Sequence, residues 1–193
     1  MKGVALNRNL TLILCVASCV VVCPAQDKKS AAQTRPDLTG TWERNLSKSK
    51  RGNRGVGTAV VRLIISCKDP ELKVTRHSDS IGKETIRDSV YYTDGRGEKN
   101  VTAFSAVVSL GLPYENIEPN KGSSKNLEVR SKTKWEGDKL VSRYSMSFAI
   151  QGRRVDIDVA EKRELSPDGK TLTIVTTFMP GRTTRTEVFD RIQ

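Results

Sequence analysis

The sequence predicts an all-β chain: an antiparallel up-and-down meander of about eight to ten strands, closed into a barrel behind a cleavable leader. Three observations predict it. Apolar residues recur at every second position in segment after segment, the pattern of half-buried strands. Turn-forming sequences separate those segments at Asp94-Gly95, Glu136-Gly137-Asp138, Gln151-Gly152, Pro167-Asp168-Gly169 and Pro180-Gly181. Asp-Gly and Pro-Gly favour tight hairpins, and connections this short force antiparallel neighbours, because a parallel crossover needs roughly a dozen residues or more. No long segment carries helical periodicity. So many strands in one sheet curl or close; a two-sheet sandwich is the alternative.

Lys2 and Arg8 form a positive start, Leu10 to Val22 is an uncharged apolar run, and Cys23-Pro24-Ala25 is a small-residue site before the polar Gln26-Asp27-Lys28-Lys29. That layout is a secretory signal. The apolar run is about 13 residues, where a spanning helix needs about 20, so no spanning membrane segment is expected. Cleavage after Ala25 makes residues 1–25 the signal peptide. The competing reading is lipidation, because Val16-Ala17-Ser18-Cys19 resembles a lipobox with Cys19 as the acylated residue; against it, Val20-Val21-Val22 follows where a polar tether is usual. Residues 26–36 are polar and rich in Ala and Lys, and read as a disordered lead-in. Residues 37–193 form the single domain.

Its strands follow in order. Val61, Leu63, Ile65 and Cys67 share one face, as do Leu72 and Val74 in the next run. Ile86, Val90 and Tyr92 line another strand with Asp88 among them. Leu127, Val129, Ser131, Thr133 and Trp135 alternate with charged residues, the cleanest period-two stretch in the chain. Leu140, Ser142, Tyr144, Met146, Phe148 and Ile150 follow, then Val155, Ile157 and Val159, then Leu172, Ile174 and Phe178. Two stretches break the rhythm. Residues 47–57 read as a basic, Gly-rich loop. Residues 104–120 are long and apolar for a connection, either a lid with a short helix over 102–110 or an irregular strand with a wide loop.

Pro36-Asp37-Leu38-Thr39-Gly40-Thr41-Trp42, followed by Asn45 and Lys48-Ser49, resembles the opening of the lipocalin-like, calycin-type barrels. Lys134-Trp135-Glu136-Gly137-Asp138-Lys139-Leu140, Ser166-Pro167-Asp168-Gly169-Lys170-Thr171-Leu172 and Val188-Phe189-Asp190-Arg191 resemble, more closely, a group of exported bacterial lipocalin-like proteins. The likeness covers most of residues 36–193. It implies that Trp42 plugs the closed end and that Arg191, from the last strand, packs across its ring. The 104–120 stretch departs from that pattern, and the other lipocalin signature segments are not evident.

The chain carries +11 overall, and loss of Lys2 and Arg8 with the leader lowers this to +9. Such a balance favours an anionic envelope surface or simply keeps the domain soluble. Nucleic acid is not expected, since aromatics for base stacking make up only 5% of the chain. Three of four cysteines lie in the leader, so after cleavage Cys67 has no intramolecular disulfide partner and the core alone must hold the domain. No catalytic residue, metal site or cofactor is expected. His77 is the only histidine, too few for a metal set, and reads as a solvated residue where a strand runs into a Ser78-Asp79-Ser80 turn. Asp156 and Asp158 read as a solvated face.

More telling are polar residues in register with core residues: Asp88, Ser131, Thr133, Ser142, Tyr144 and Thr176, with Glu161 and Arg163 as further candidates. A few placed polar groups among apolar walls are typical of a ligand pocket, although such positions near strand ends can instead meet water. Three readings follow. The first is an exported, monomeric binding barrel for a lipid-like small molecule, periplasmic or secreted, with Asp88, Ser131, Thr133, Ser142, Tyr144 and Met146 as ligand-binding residues and residues 104–120 over the mouth. The second is an interaction or inhibitor protein using the 47–57 or 104–120 stretch. The third is a lipocalin-like isomerase or lyase, with Asp88, Tyr144 or Glu161 as acid or base.

Overall fold

Alternation and turn chemistry translate directly into a hairpin series. In the computed structural model, residues 35–51, 54–55, 59–80, 82–103, 126–150 and 153–192 are described, all within the unit Gln33–Gln193. The leader, most of the lead-in and residues 104–120 lie outside the described residues. The strands are β1 (Gly40–Arg44), β2 (Lys50–Arg51), β3 (Arg54–Gly55), β4 (Val60–Lys68), β5 (Glu71–Ser80), β6 (Lys83–Tyr92), β7 (Glu98–Ala103), β8 (Asn126–Glu136), β9 (Lys139–Ile150), β10 (Arg153–Leu165), β11 (Thr171–Met179) and β12 (Thr183–Arg191). All pairings are antiparallel, in the order β6-β5-β4-β1-β12-β11-β10-β9-β8-β7. The path is a meander wrapped so that its first and last strands, β1 and β12, are neighbours. Its two ends, β6 and β7, come together to make a nearly closed barrel.

Three expectations about local structure are corrected. The stretch 47–57 contains the small β2–β3 pair, which extends the sheet at β12 through Arg51↔Arg185 and Lys50↔Thr186. Ser78-Asp79-Ser80 is not a turn: β5 continues through it, and Gly82, at φ 72°, supplies the reversal. His77 therefore sits within the strand, its Nδ1 3.1 Å from Glu84 Oε1. In β6 the inward set is Arg87, Ser89 and Tyr91, so Ile86 and Asp88 are exposed on the outer face. A strand with apolar side chains at both parities has an ambiguous pattern, and a one-residue slip exchanges its faces.

The end marked by Trp42 is a packed apolar cluster. Trp42, Leu63, Leu72, Leu140, Leu172 and Phe189 are nearly or fully sealed from water there, together with Leu38 from the lead into β1. Burying an indole requires a partner for its N–H, and Trp42 Nε1 donates to the Leu38 carbonyl at 3.1 Å. Arg191, the cross-strand partner of Trp42, places its guanidinium carbon 4.3 Å from the ring centroid and donates to the Thr39 carbonyl at 3.0 Å. Such a cation–π contact contributes about 0.5–2 kcal/mol. Thr39 links further, its N–H donating to Asp37 Oδ1 and its hydroxyl accepting from the Cys67 N–H. The Asp37-to-Trp42 segment thus ties β1, β4 and β12 at one end.

The β6–β7 seam closes differently. No ladder joins these strands among the described residues. Instead the Asn100 side chain imitates one: its Oδ1 accepts from the Val90 N–H and its Nδ2 donates to the Val90 carbonyl, both at 2.8 Å. Glu98 Oε2 accepts from the Tyr92 N–H at 3.3 Å. Asn100→Ala leaves a main-chain donor and acceptor of Val90 without these partners, a cost of about 1–3 kcal/mol. Denaturant unfolding is expected to show that loss together with faster hydrogen exchange at the Val90 amide, and unchanged exchange there would contradict the seam assignment.

Candidate functional site

Inside the barrel, inward-pointing residues of successive strands form rows, and the middle rows are polar. Ser131 faces Tyr144 and Thr133 faces Ser142 across β8–β9, while Ser142 faces Glu161 across β9–β10. Glu98, from the seam, accepts from Ser131 Oγ at 2.6 Å and Thr133 Oγ1 at 2.7 Å. Thr133 and Ser142 share a hydrogen bond at 2.7 Å, and Arg163 Nη1 donates to Ser142 Oγ at 2.8 Å. Arg163 also pairs with Glu161 and lies over the Tyr91 ring, 4.3 Å from its centroid. This chain runs from the seam to β10 without leaving the interior.

Burial disfavours a phenolate, so both interior tyrosines are held protonated. For Tyr144, Glu161 and Tyr91 add to that effect and Arg163 opposes it; Tyr91 is likewise pushed up by burial, against the pull of Arg163. Burial works against the Arg163 charge, but Glu161 more than restores it and the guanidinium stays cationic. The arrangement offers hydrogen-bond donors and a fixed positive charge.

A second group lies across the barrel on β1, β5 and β12. Glu187 is buried and accepts from Arg44 Nη1 at 3.1 Å, Arg76 Nη2 at 2.9 Å and Arg185 Nη2 at 2.6 Å. Burial alone would raise its carboxyl; Arg76, then Arg185 and Arg44, override that and hold it at about 2. Arg44 also donates to the Ala59 carbonyl. Arg87 is the cross-strand partner of Arg76; burial, and then Arg76, lower its affinity for the proton. The Nε of Arg185 is buried and finds no acceptor among the described residues. Among the described residues of both groups, five inward arginines (44, 76, 87, 163 and 185) meet three inward glutamates (98, 161 and 187).

Beyond the polar rows, away from Trp42, lies a second apolar cluster of Val129, Met146, Ile157, Val159 and Phe178, with Tyr144 against it. The interior thus reads apolar, polar, apolar along its axis. Of the residues expected to line a pocket, Ser131, Thr133, Ser142, Tyr144 and Met146 are brought together here. Asp88 is not; it accepts from Thr75 Oγ1 at 2.6 Å on the outer face. Glu98, Tyr91, Arg44, Arg76, Arg185 and Glu187 escaped the sequence reading. The signal was parity: Arg44 follows Trp42 by two, Arg76 follows Val74 by two, and Glu187 precedes Phe189 by two.

A groove of about 1020 Å³ lies elsewhere. Its lining takes three consecutive residues from each of β8, β9 and β10 and from the start of β7 with the glycine before it: Arg130 to Lys132, Arg143 to Ser145, Asp158 to Ala160 and Gly97 to Lys99. Inward neighbours two positions away, such as Val129, Thr133 and Met146, take no part. Consecutive side chains of a strand point to opposite faces, so the middle residue of each triplet contributes backbone and its flanks contribute side chains. The groove is on the outside of the sheet. Asp156 and Asp158 are exposed on the outer face and accept from Ser147 and Ser145 respectively, and Asp158 lines the groove. Cys67 is partly buried with its thiol pushed up by burial. Among the described residues no group of His, Cys, Asp and Glu could hold a metal ion.

The depressed Glu187 carboxyl makes a pH prediction. Its ordinary value is 4.5 and its folded value about 2, so its contribution to stability is present above about 4.5 and is lost as pH falls through about 2. Glu187→Gln is expected to lower stability at neutral pH, by leaving three arginines without their carboxylate, and to flatten the pH dependence of unfolding between 4.5 and 2. An unaltered acid-unfolding profile would contradict the cluster's role.

Neither a protein-family model nor a curated protein matches the sequence. Among solved structures the barrel is similar to secretory abundant heat soluble protein 4 from Ramazzottius varieornatus, at 10% identity over 80% of this chain and 94% of that one, with a TM-score of 0.50. It is also similar to the REP1-NXSQ fatty acid transporter, at 13% identity over 81% and 97% of the two chains, TM-score 0.48. A Schistosoma mansoni fatty acid binding protein in complex with arachidonic acid is similar at 11% identity over 80% and 96%, TM-score 0.46. At these identities the likeness is one of fold alone: a nearly closed antiparallel meander barrel of lipocalin-like architecture.

Proposed function

We propose that the barrel binds a small amphipathic molecule with an anionic group, its head on the interior arginines and its apolar part against Phe178, Met146 and Val159. The observation that carries this reading is the excess of inward cations. A charge taken out of water is costly unless paired, and here three arginines share one carboxylate while a buried Arg185 Nε–H has no acceptor among the described residues. An anion would complete that arrangement, and hydrogen bonds to charged groups contribute about 1.5–3 kcal/mol each. The apolar cluster beside the polar rows supplies the complementary surface for a tail.

Binding is favoured over isomerase or lyase chemistry by the state of the three acid–base candidates. Asp88 is outside the barrel, Tyr144 is held protonated and Glu161 is committed to Arg163. The leader reading extends the proposal: the protein works as an exported barrel, soluble after cleavage or tethered through Cys19.

Native mass spectrometry of the purified protein, before and after incubation with a long-chain fatty carboxylate, tests the reading. A one-to-one adduct is expected. Arg76→Ala, which leaves Arg44 and Arg185 to balance Glu187, is expected to weaken binding about tenfold or more. Absence of any adduct in the folded protein would overturn the proposal, as would equal affinity of wild type and variant.

A further inference from the structure

The outer groove carries a charge pattern that the interior site does not use. It crosses β7, β8, β9 and β10 along the cross-strand row Glu98↔Ser131↔Tyr144↔Val159. Its outward side chains include Lys99, Arg130, Lys132 and Arg143, with Asp158 at the β10 end. Lys134 stands next along β8. Two carboxylates are interleaved with these cations, and each is shared. Glu128 lies 3.8 Å from Lys99 and 3.3 Å from Arg130; Glu136 lies 3.6 Å from Lys134 and 2.6 Å from Arg143. Five cations against three carboxylates, Asp158 included, leave the groove region positive. The outer face of β4–β6 has the opposite sign: Glu71, Asp79, Glu84 and Asp88 outnumber Arg62, Lys68 and Lys73. Among the described residues, the outer face of β7–β9 is therefore more positive than that of β4–β6.

We infer that this groove is a docking surface for an extended acidic peptide segment of a partner protein. Three features favour that occupant. The cations border a concavity, so an extended chain lying in it meets them on both sides, whereas a flat lipid surface would touch only their tips and leave the groove unfilled. The walls include Tyr92 at the β6 end and the exposed Met179 at the β11 end, residue types enriched at protein interfaces, with methionine able to adapt to varied apolar side chains. Arg96, paired with Asp94, stacks on Tyr92 5.0 Å from its centroid and holds that ring at the β6 end. Charge complementarity of this kind acts on encounter rate and specificity and weakens with salt.

The test is fluorescence anisotropy with a labelled peptide of alternating glutamate and leucine, at low and high salt, on the full chain. Binding is expected at low salt, reduced by added salt. The triple variant Lys99→Gln/Lys132→Gln/Arg143→Gln is expected to bind about tenfold or more weakly. Lys73→Gln, a charge change on the opposite face, is expected to bind like the wild type. Thermal unfolding of each variant identifies any that has lost its fold, and Lys132→Glu alone, expected to weaken binding severalfold, replaces the triple variant in that event. Binding unaffected by the groove variants, or lowered equally by Lys73→Gln, would overturn the inference. So would tight binding to vesicles containing phosphatidylglycerol, or to heparin, with none to the peptide.

Discussion

Glu187 is the point on which the interior depends. Arginines from β1, β5 and β12 converge on its carboxylate, and none of these strands is next to either of the others in sequence except through the sheet they share. Side chains so long and so charged are seldom turned inward unless paired. Their convergence fixes the inward parity of each strand, because a slip by one residue would place a guanidinium in solvent and an outward residue in the core. One buried carboxylate thus sets register at three places. Among the described residues it also leaves more positive than negative charge on the inner wall, the imbalance on which the proposed preference for an anion rests.

Closure of the barrel makes that imbalance consequential. At one end Trp42 is sealed by Arg191, and β1 and β12 are joined by backbone pairing. On the opposite side the circle is completed by side chains alone, with Asn100 standing in for a strand and Glu98 reaching the Tyr92 amide. Glu98 serves both the seam and the interior hydrogen-bond chain through Ser131 and Thr133. Joint and polar interior therefore share a residue, so parting the seam also disturbs the groups that line the site. The outer groove crosses the same row of residues from the other side, where flanking lysines and arginines face away from the core.

Much of this was legible in the sequence and some was not, for reasons particular residues make plain. Strands such as β8 and β11 alternate without ambiguity, and Ser131, Thr133, Ser142 and Tyr144 could be placed inside by parity alone. Trp42 and Arg191 were legible through a motif whose ring and guanidinium lie in contact. β6 was misread because Ile86, Val90 and Tyr92 form a plausible apolar face, while the inward set contains Arg87 and Ser89 beside Tyr91. Hydrophobicity identifies the buried face only where the interior is apolar, and in this barrel its middle is not. The same polarity concealed Arg44, Arg76 and Glu187. Their positions were in phase with the core, but a charged residue in phase is read as a strand end until a partner from a distant strand is known. The β2–β3 pair was missed because two-residue strands carry no periodicity.

The central claim is that the inner wall discriminates by charge, with an apolar surface beside it for the rest of the ligand. Isothermal titration of the folded protein with a long-chain carboxylate and with the alcohol of the same chain length tests it most directly, since the two differ only in the group that would meet the arginines. The account predicts that the carboxylate binds about tenfold tighter or more, in keeping with a charge-assisted hydrogen bond. Equal affinities, or binding of neither, would contradict it.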